Sequence, residues 1–401
     1  MLVLKIIFLI LNLLLFINGF HFVFFALLPF FKKEKKMKDF KPKTRFLILI
    51  AARNEELVIP DLIDSIKSQN YPKELVKTYV LPNNCFDKTK EVSIKHGAMI
   101  LEPEIKVNTK GEVLNYAFKY FQDKDFFDAY LILDADNILH PNFLKEMNNS
   151  FLNGEKVVQG FRDSKNLYDN AISCSHSLFF YLQNLFLNET RQRISQSANI
   201  NGTGYAFLKE IPQKINYKAK TLTEDIEFTT TCAIAGIKIG YNKKACFYDE
   251  QATSLKVSIK QRKRWVQGTI QVFKNYYIPI FKSMQKKLTL NKLDIFFISI
   301  APFMQILTLI STILANIIYF NIYILISSFL ALYLATSLVS LFLIKYYQKN
   351  IYKALPGIFY FAIFNIFWIP ISIFAFLSNK NNWDEIKHTK SIKMQELLEK
   401  N

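Results

Sequence analysis

The sequence predicts an α/β domain inserted between transmembrane helices, its mostly parallel sheet covered by helices on both faces. Two observations carry that expectation. From Phe46 to about Phe247, short apolar runs alternate with segments of helical period, the pattern of a sheet layered with helices. On either side lie long apolar stretches: Leu2 to Phe31 before it, and Ile295 to Phe320, Ile322 to Tyr346 and Leu355 to Leu377 after it. Each exceeds the ~20 residues that cross a bilayer.

In chain order, residues 1–31 read as an anchor, because no small-residue cleavage site follows the apolar run. Lys32, Lys33, Lys35, Lys36, Lys38, Lys41, Lys43 and Arg45 come next. Positive residues stay cytoplasmic, so the domain spanning 32–275 is expected on the cytoplasmic face of the cell membrane, in a multi-pass protein. Residues 276–292 are amphipathic and Lys-rich, which suits a helix lying at the membrane interface. The three apolar stretches fill 293–378, and a basic tail occupies 379–401. Three crossings there would place the C-terminus outside, whereas Lys380, Lys387, Lys390 and Lys393 argue for inside. A stretch that re-enters or lies flat, broken at Pro302 or Pro370, reconciles the two.

Within the domain, Phe46 to Ile50 and Thr78 to Leu81 read as strands, and Leu57, Leu62, Ile63 and Ile66 as the buried face of the helix between them. The 401 residues are 51% hydrophobic and carry a formal charge of +18. That balance suits anionic lipid and a polyanionic small substrate. A nucleic-acid partner is disfavoured, since the basic excess adjoins the apolar spans rather than forming a basic domain. The four cysteines have no Cys-x-x-Cys spacing and suggest neither a metal cluster nor a disulfide framework.

Three polar clusters carry the chemistry. Ala129 to Leu133 is strand-like and ends in Asp134-Ala135-Asp136, so two carboxylates arrive at the carboxyl end of a strand, where α/β proteins bind ligands. Two carboxylates one residue apart suit Mg²⁺ or Mn²⁺, which would neutralise a departing diphosphate. The same residues, with Asn137, also suit a plain turn and helix cap. Thr223-Glu224-Asp225 opens the helical segment Ile226 to Ala235. It reads as acids facing a helix dipole, as a positioned general base, or as both. In Gln261-Arg262-Lys263-Arg264-Trp265, Gln261 and Arg264 share a helix face. Arg264 offers a fork for diphosphate and Trp265 an apolar face for a sugar. A basic helix meeting lipid phosphates is the alternative.

In this order the clusters resemble those of the membrane-integrated family 2 glycosyltransferases, which include cellulose, chitin, hyaluronan and poly-N-acetylglucosamine synthases. The resemblance spans about residues 45 to 275 and implies a GT-A type, Rossmann-like mixed sheet. Ile50 to Glu55 is similar to the first-strand signature, so Ala52, Arg53, Asn54 and Glu55 are expected at the nucleotide, although proline is commoner where Ala51 stands. Asn83 stands where the family carries a nucleotide-contacting aspartate. By the same resemblance Lys110 meets the diphosphate, Asp134 binds nucleotide and metal, Asp136 binds metal, and Asp225, beside Glu224, is the base. Gly202, Thr203 and Gly204 line the acceptor site with Gln261 and Trp265, and Arg264 adds charge at the diphosphate. Trp383 to His388 is similar to a cytoplasmic segment near the active site of some relatives.

The implied function is inverting transfer of N-acetylglucosamine or glucose from a UDP-sugar to a hydroxyl, extending a β-linked extracellular polysaccharide. Single transfer to a lipid is the alternative, and an inactive membrane scaffold a third reading. The expected partners are a UDP-sugar, a polysaccharide or lipid acceptor, membrane lipids and, where turnover needs one, an accessory subunit.

Overall fold

The computed structural model describes residues 1–32, 37–105, 107–378 and 390–400. Lys33, Lys35, Lys36, Lys380, Lys387 and the segment Trp383 to His388 lie outside the described residues. Eight strands form one sheet: β1 (Phe46–Ala52), β2 (Val76–Pro82), β3 (Met99–Ile100), β4 (Ala129–Asp134), β5 (Ile138–Leu139), β6 (Val157–Ser164), β7 (Tyr205–Leu208) and β8 (Gly240–Asp249). Their order is β3-β2-β1-β4-β7-β6-β8-β5. The first four run parallel, whereas β7 is antiparallel to both β4 and β6. The sheet is therefore mixed. Leu47 to Ile50 are fully buried, each worth about 1.5–3 kcal/mol of apolar transfer, because helices cover both faces.

Those helices are α2 (Ile59–Lys67), α3 (Thr89–Lys95), α4 (Lys110–Phe121), α5 (Phe143–Leu152), α6 (Ala171–Leu182), α7 (Thr190–Arg193), α8 (Ile211–Lys214) and α9 (Glu224–Ala235), with α1 (Leu2–Leu27) ahead of them. A π-helical turn, Gln183–Glu189, joins α6 to α7. Leu62, Ile63 and Ile66 are buried on α2 as expected, but Leu57 precedes the helix and is exposed. The helix starts only at Ile59, where Pro60 fits a first turn that needs no donor.

The membrane-side helices are α10 (Leu255–Lys286), α11 (Leu290–Ser299), α12 (Ala301–Tyr319), α13 (Ile322–Tyr346), α14 (Ile351–Ile366) and α15 (Trp368–Leu377), followed by α16 (Met394–Lys400). Leu2–Leu27, Ala301–Tyr319, Ile322–Tyr346 and Ile351–Leu377 are long and apolar enough to cross a bilayer. The interfacial segment expected at 276–292 is divided: α10 runs through residue 275 unbroken to Lys286, and residues 290–292 open α11. The first apolar stretch is broken at Ile300 into α11 and α12, with Pro302 in the first turn of α12, and the last near Pro370 into α14 and α15.

Helices α1 and α12 lie antiparallel. The Phe8 and Tyr319 rings meet edge-on at 6.1 Å, and Asn12 Nδ2 donates to Ser311 Oγ at 3.1 Å. At the other end of α1, His21 Nε2 lies 2.7 Å from Asp294 of α11, which also pairs with Arg191 at 3.0 Å. Helix α13 stands clear of the protein over 321–332, all exposed, and returns to the domain at its end. There Lys349 Nζ meets Asp163 at 2.9 Å and Tyr346 donates to Glu189 at 2.9 Å. Both ends of the α14–α15 stretch lie at the domain. Asn350 N donates to Tyr168 at 2.8 Å, and Ser378 O accepts from Gln267 of α10 at 3.4 Å. The tail lies there too, with Ile392 and Leu397 packed on Ile138 and Tyr248 and Lys390 N donating to Glu250 at 3.1 Å.

Helix α14 packs on α6 through Gly357. A Cβ there would lie 2.2 Å from Cβ and Sγ of Cys174. Gly357→Val is expected to destabilise the protein by about 1–3 kcal/mol through overpacking, measured as a lower Tm of the detergent-solubilised chain.

Candidate active site

The site lies at the carboxyl ends of β1 and β4, which are neighbours with Ala51 opposite Asp134. Chain leaving β1 supplies Ala52, Arg53 and Glu55 to a cavity of about 560 Å³, within the range of small-molecule sites. Arg53 donates from Nε to Asn83 O at 2.9 Å and from Nη2 to Asn83 Oδ1 at 3.2 Å, so the Asn83 carboxamide is held at the cavity edge. Asn54 is turned elsewhere. It sits at φ +55° and accepts from Phe86 N at 2.8 Å, outside the cavity lining.

Helix α4 brings Lys110. Its start is fixed by a capping box in which Thr109 Oγ1 accepts from Glu112 N at 3.2 Å and Glu112 accepts from Thr109 N at 3.3 Å. Lys110 Nζ reaches Asp134 Oδ1 at 2.5 Å, Gly202 O at 2.7 Å and Glu224 Oε1 at 3.3 Å. Burial works to discharge this ammonium, but the carboxylates of Asp134, Glu224 and Asp225 outweigh it and hold the lysine charged. Gly111 lets α4 approach this closely, for a Cβ there would lie 2.9 Å from that of Ala219 and 3.0 Å from that of Glu224. Gly111→Val is expected to force Lys110 away from Glu224 and cut kcat/KM at least about tenfold, since misplaced reacting groups cost that much or more; steady-state kinetics read it.

Glu224 and Asp225 open α9. Asp225 accepts from Ile226 N at 2.9 Å and lines the cavity beside Gly202. Burial, then the charge of Glu224, push its carboxyl up to about 7, with Lys110 opposing. A carboxylate titrating there is matched to taking a proton near neutral pH.

Asp136 is buried, accepting from Glu250 N at 3.1 Å, with Asn137 Nδ2 3.4 Å from its other oxygen. Asn137 in turn donates to Asp249, which Arg162 grips from two nitrogens. Among the described residues no three His, Cys, Asp or Glu side chains converge as a cation cage. The pair Asp134 and Asp136 nevertheless fits Mg²⁺ or Mn²⁺, which accept one or two carboxylates and take remaining oxygens from phosphate and water.

Helix α10 contributes Gln261, Arg264 and Trp265 to the cavity. Trp265 stacks on Phe179 at 5.9 Å and on Trp368 at 6.4 Å, forming an aromatic wall. Arg262, which the alternative of a basic helix on lipid would set at phosphates, is instead fully buried. It donates to Phe364 O at 2.7 Å, at the end of α14, and lies over the Phe364 ring at 4.0 Å. Gly202 lines the cavity, but Thr203 and Gly204 stand behind its wall. Thr203 Oγ1 accepts from Asp134 N at 2.8 Å and donates to Asn137, positioning the acid pair. Gly204, at φ +64°, packs against Phe247, where a Cβ would sit 2.0 Å from the ring.

Sequence reasoning did not single out Arg162, Phe179 or Trp368, all in the cavity lining. A signal for the first was present: Arg162 and Asp163 are adjacent charges in strand β6, which is buried throughout, and buried charges call for partners. The aromatic residues had none, since they look like any others in apolar helices.

A mixed sheet whose central strand ends in two carboxylates, faced by a lysine and an acid-headed helix, is the GT-A class of α/β fold. The chain belongs to the glycosyltransferase like family 2, whose profile matches residues 42–268. It is 26% identical over 277 residues to a probable glycosyltransferase, YdaM, of Bacillus subtilis, covering 66% of this chain and 64% of that one. It is 25% identical over 174 residues to a UDP-forming cellulose synthase catalytic subunit of Dictyostelium discoideum, covering 43% and 16%. A beta-monoglucosyldiacylglycerol synthase of Synechocystis is 21% identical over 254 residues, covering 59% and 50%. The chain thus spans less than two thirds of each of these relatives. Among solved structures, a Pyrobaculum calidifontis mannosyltransferase in complex with GDP-Man and Mn²⁺ shares the fold, with a TM-score of 0.59, 15% identity and coverage of 91% and 99%.

Proposed function

We propose that this protein is a membrane glycosyltransferase that moves N-acetylglucosamine or glucose from a UDP-sugar to an acceptor hydroxyl with inversion. The observation that carries the reading is the convergence of Asp225, Glu224, Lys110 and Asp134 around Gly202, with the Asp225 carboxyl raised to about 7. Asp225 takes the acceptor's proton as its oxygen attacks the anomeric carbon, and the diphosphate leaves from the opposite face. Lys110 and Arg264 offset its charge. A divalent cation held by Asp134 and Asp136 would supply further neutralisation when bound. Ala52, Arg53, Glu55 and Asn83 hold the nucleoside. The UDP preference rests on the sequence resemblance.

Of the three curated relatives, one is named for a polysaccharide, cellulose, and one for a lipid, a monoglucosyldiacylglycerol. The aromatic wall of Trp265, Phe179 and Trp368 suits a sugar ring, and the aliphatic end of the same cavity suits a chain. Release of UDP from a panel of UDP-sugars, with sizing of the product, tests the reading.

For orientation, we propose that α1, α12 and α13 cross the cytoplasmic membrane and that α14–α15 enters from the domain side and returns. That arrangement keeps the tail with the domain, where Ile392 and Leu397 pack, and satisfies the positive-inside rule. A protease that cleaves the tail only from the cytoplasmic side supports it; cleavage from outside contradicts it.

A further inference from the structure

We infer that the acceptor is a neutral, hydroxyl-headed lipid whose aliphatic chain lies in the far end of the active-site cavity; the inference rests on the transferase reading above. The cavity is one continuous space with two chemistries. Its lining carries Lys110, Asp134, Asp136 and Arg264, and it also carries the aliphatic side chains of Leu187, Ile226, Ile295, Ile298, Ala301 and Pro302. The second set comes from the π-helical turn, α9, α11 and α12. Helices α11 and α12 contribute no charged side chain to the lining, Gln305 being their one polar member there.

Asp225 stands at the junction. Ile226 and Thr229 follow it by one and four residues on α9 and line the cavity as well, within about 6 Å along the helix. Further along, Ala233 and Ile234 of α9 pack with Ile295 and Ile298 of α11. A hydroxyl at Asp225 therefore has a chain path towards the start of α12, one of the candidate membrane spans. No cation of α11 or α12 lines the cavity to meet an anionic headgroup on that side, Lys292 of α11 lying outside the lining, whereas a neutral alcohol needs only the base.

The helix packing does not suit a sugar polymer leaving across the bilayer. Helix α12 packs on α1 and α15, while α13 packs on α14 and α6. The first half of α13 is exposed on all sides. Among the described residues, then, α13 has no substantial packing on α1 or α12, so the long apolar helices do not close around a shared path for a polymer.

In the reaction the lipid O–H bond breaks, its proton passing to Asp225. The oxygen's electron pair forms the new bond to the anomeric carbon. The bond from that carbon to the β-phosphate oxygen breaks, and its electron pair leaves with the nucleoside diphosphate.

The test uses the full-length purified protein with Mn²⁺, UDP-glucose or UDP-N-acetylglucosamine, and dibutyryl-, dihexanoyl- or dioctanoylglycerol as acceptor. Each methylene drawn from water into an aliphatic wall gives about fourfold in kcat/KM. With one of the two acyl chains in the cavity, the four methylenes added from dibutyryl to dioctanoyl give an expected rise on the order of a hundredfold, with one sugar added per lipid. Ile298→Trp fills the chain end and is expected to shrink that ratio below about tenfold. Equal rates across the series overturn the inference, as does a ladder of sugar lengths with no glycolipid, or an Ile298→Trp protein with an unchanged ratio. The length series needs no variant, so a misfolded Ile298→Trp leaves the test intact. No UDP release with any acceptor overturns the transferase reading itself; release without dependence on chain length overturns the lipid inference alone.

Discussion

Asp225→Asn protein is expected to bind its donor and to lose transfer by about 10²–10⁴-fold, the usual contribution of a positioned base. The exchange keeps the size of the side chain and the hydrogen bond from Ile226 N, so α9 keeps its start. What it removes is the ability to accept a proton. The pH profile gives a second readout on the unaltered protein. Because the Asp225 carboxyl is raised to about 7 by burial and by Glu224, it is protonated, and idle as a base, below that pH. The kcat/KM should fall tenfold per unit as pH drops below about 7 and level off above it. Glu224→Gln removes a charge that raises the Asp225 carboxyl, so the acid limb should move to lower pH. An acid limb that stays in place would assign the titration to another group.

Removal of the divalent cation is the second large effect. Chelation with EDTA is expected to abolish turnover, and Mn²⁺ or Mg²⁺ to restore it. Asp136→Asn should lose at least about a hundredfold in kcat, because several kcal/mol of charge stabilisation leave with the metal. The exchange keeps the size of the side chain and one oxygen to accept from Glu250 N, and it gives up the longer 3.4 Å bond from Asn137 Nδ2. An equal loss in Tm would instead indicate a structural role, so a melting curve accompanies the kinetics. Full activity in EDTA with Asp136→Asn would remove the metal from the account.

Much of this site was legible in the sequence because its residues sit where local rules place them. Ala129 to Leu133 is an unbroken apolar strand, so the position of Asp134 followed from periodicity alone. Thr223 to Asp225 precedes a helical pattern, and α9 does begin at Glu224. Yet the Thr223 side chain makes no cap bond, and Glu227 accepts from Lys220 N and Thr221 N of the loop ahead of the helix. Roles that depend on tertiary direction were not legible. Arg262 and Arg264 are two residues apart on one helix and share a charge, but one faces the packed end of α14 and the other the cavity. Thr203 and Gly204 read as acceptor loop, whereas the strand pairing of β7 turns them behind the wall. The antiparallel placement of β7 between β4 and β6 is a long-range choice with no local signature. Leu57 fits a helical face in spacing and lies outside the helix because Pro60 sets where α2 starts.

The direction of the last apolar stretch was open for the same reason. Its length alone suits a crossing, and only the packing of α14 on α6, of α15 on α10 and of the tail on Ile138 shows that both ends stay with the domain. Composition sets what a segment can do in lipid; its neighbours decide what it does.

The most direct measurement is UDP release by the purified, detergent-solubilised protein across a panel of UDP-sugars with Mn²⁺, run beside Asp225→Asn. The account predicts turnover with one donor, abolished by EDTA and reduced at least about a hundredfold in the variant. Undiminished turnover in a folded Asp225→Asn protein would contradict it, as would the absence of release from every donor with both lipid and oligosaccharide acceptors present.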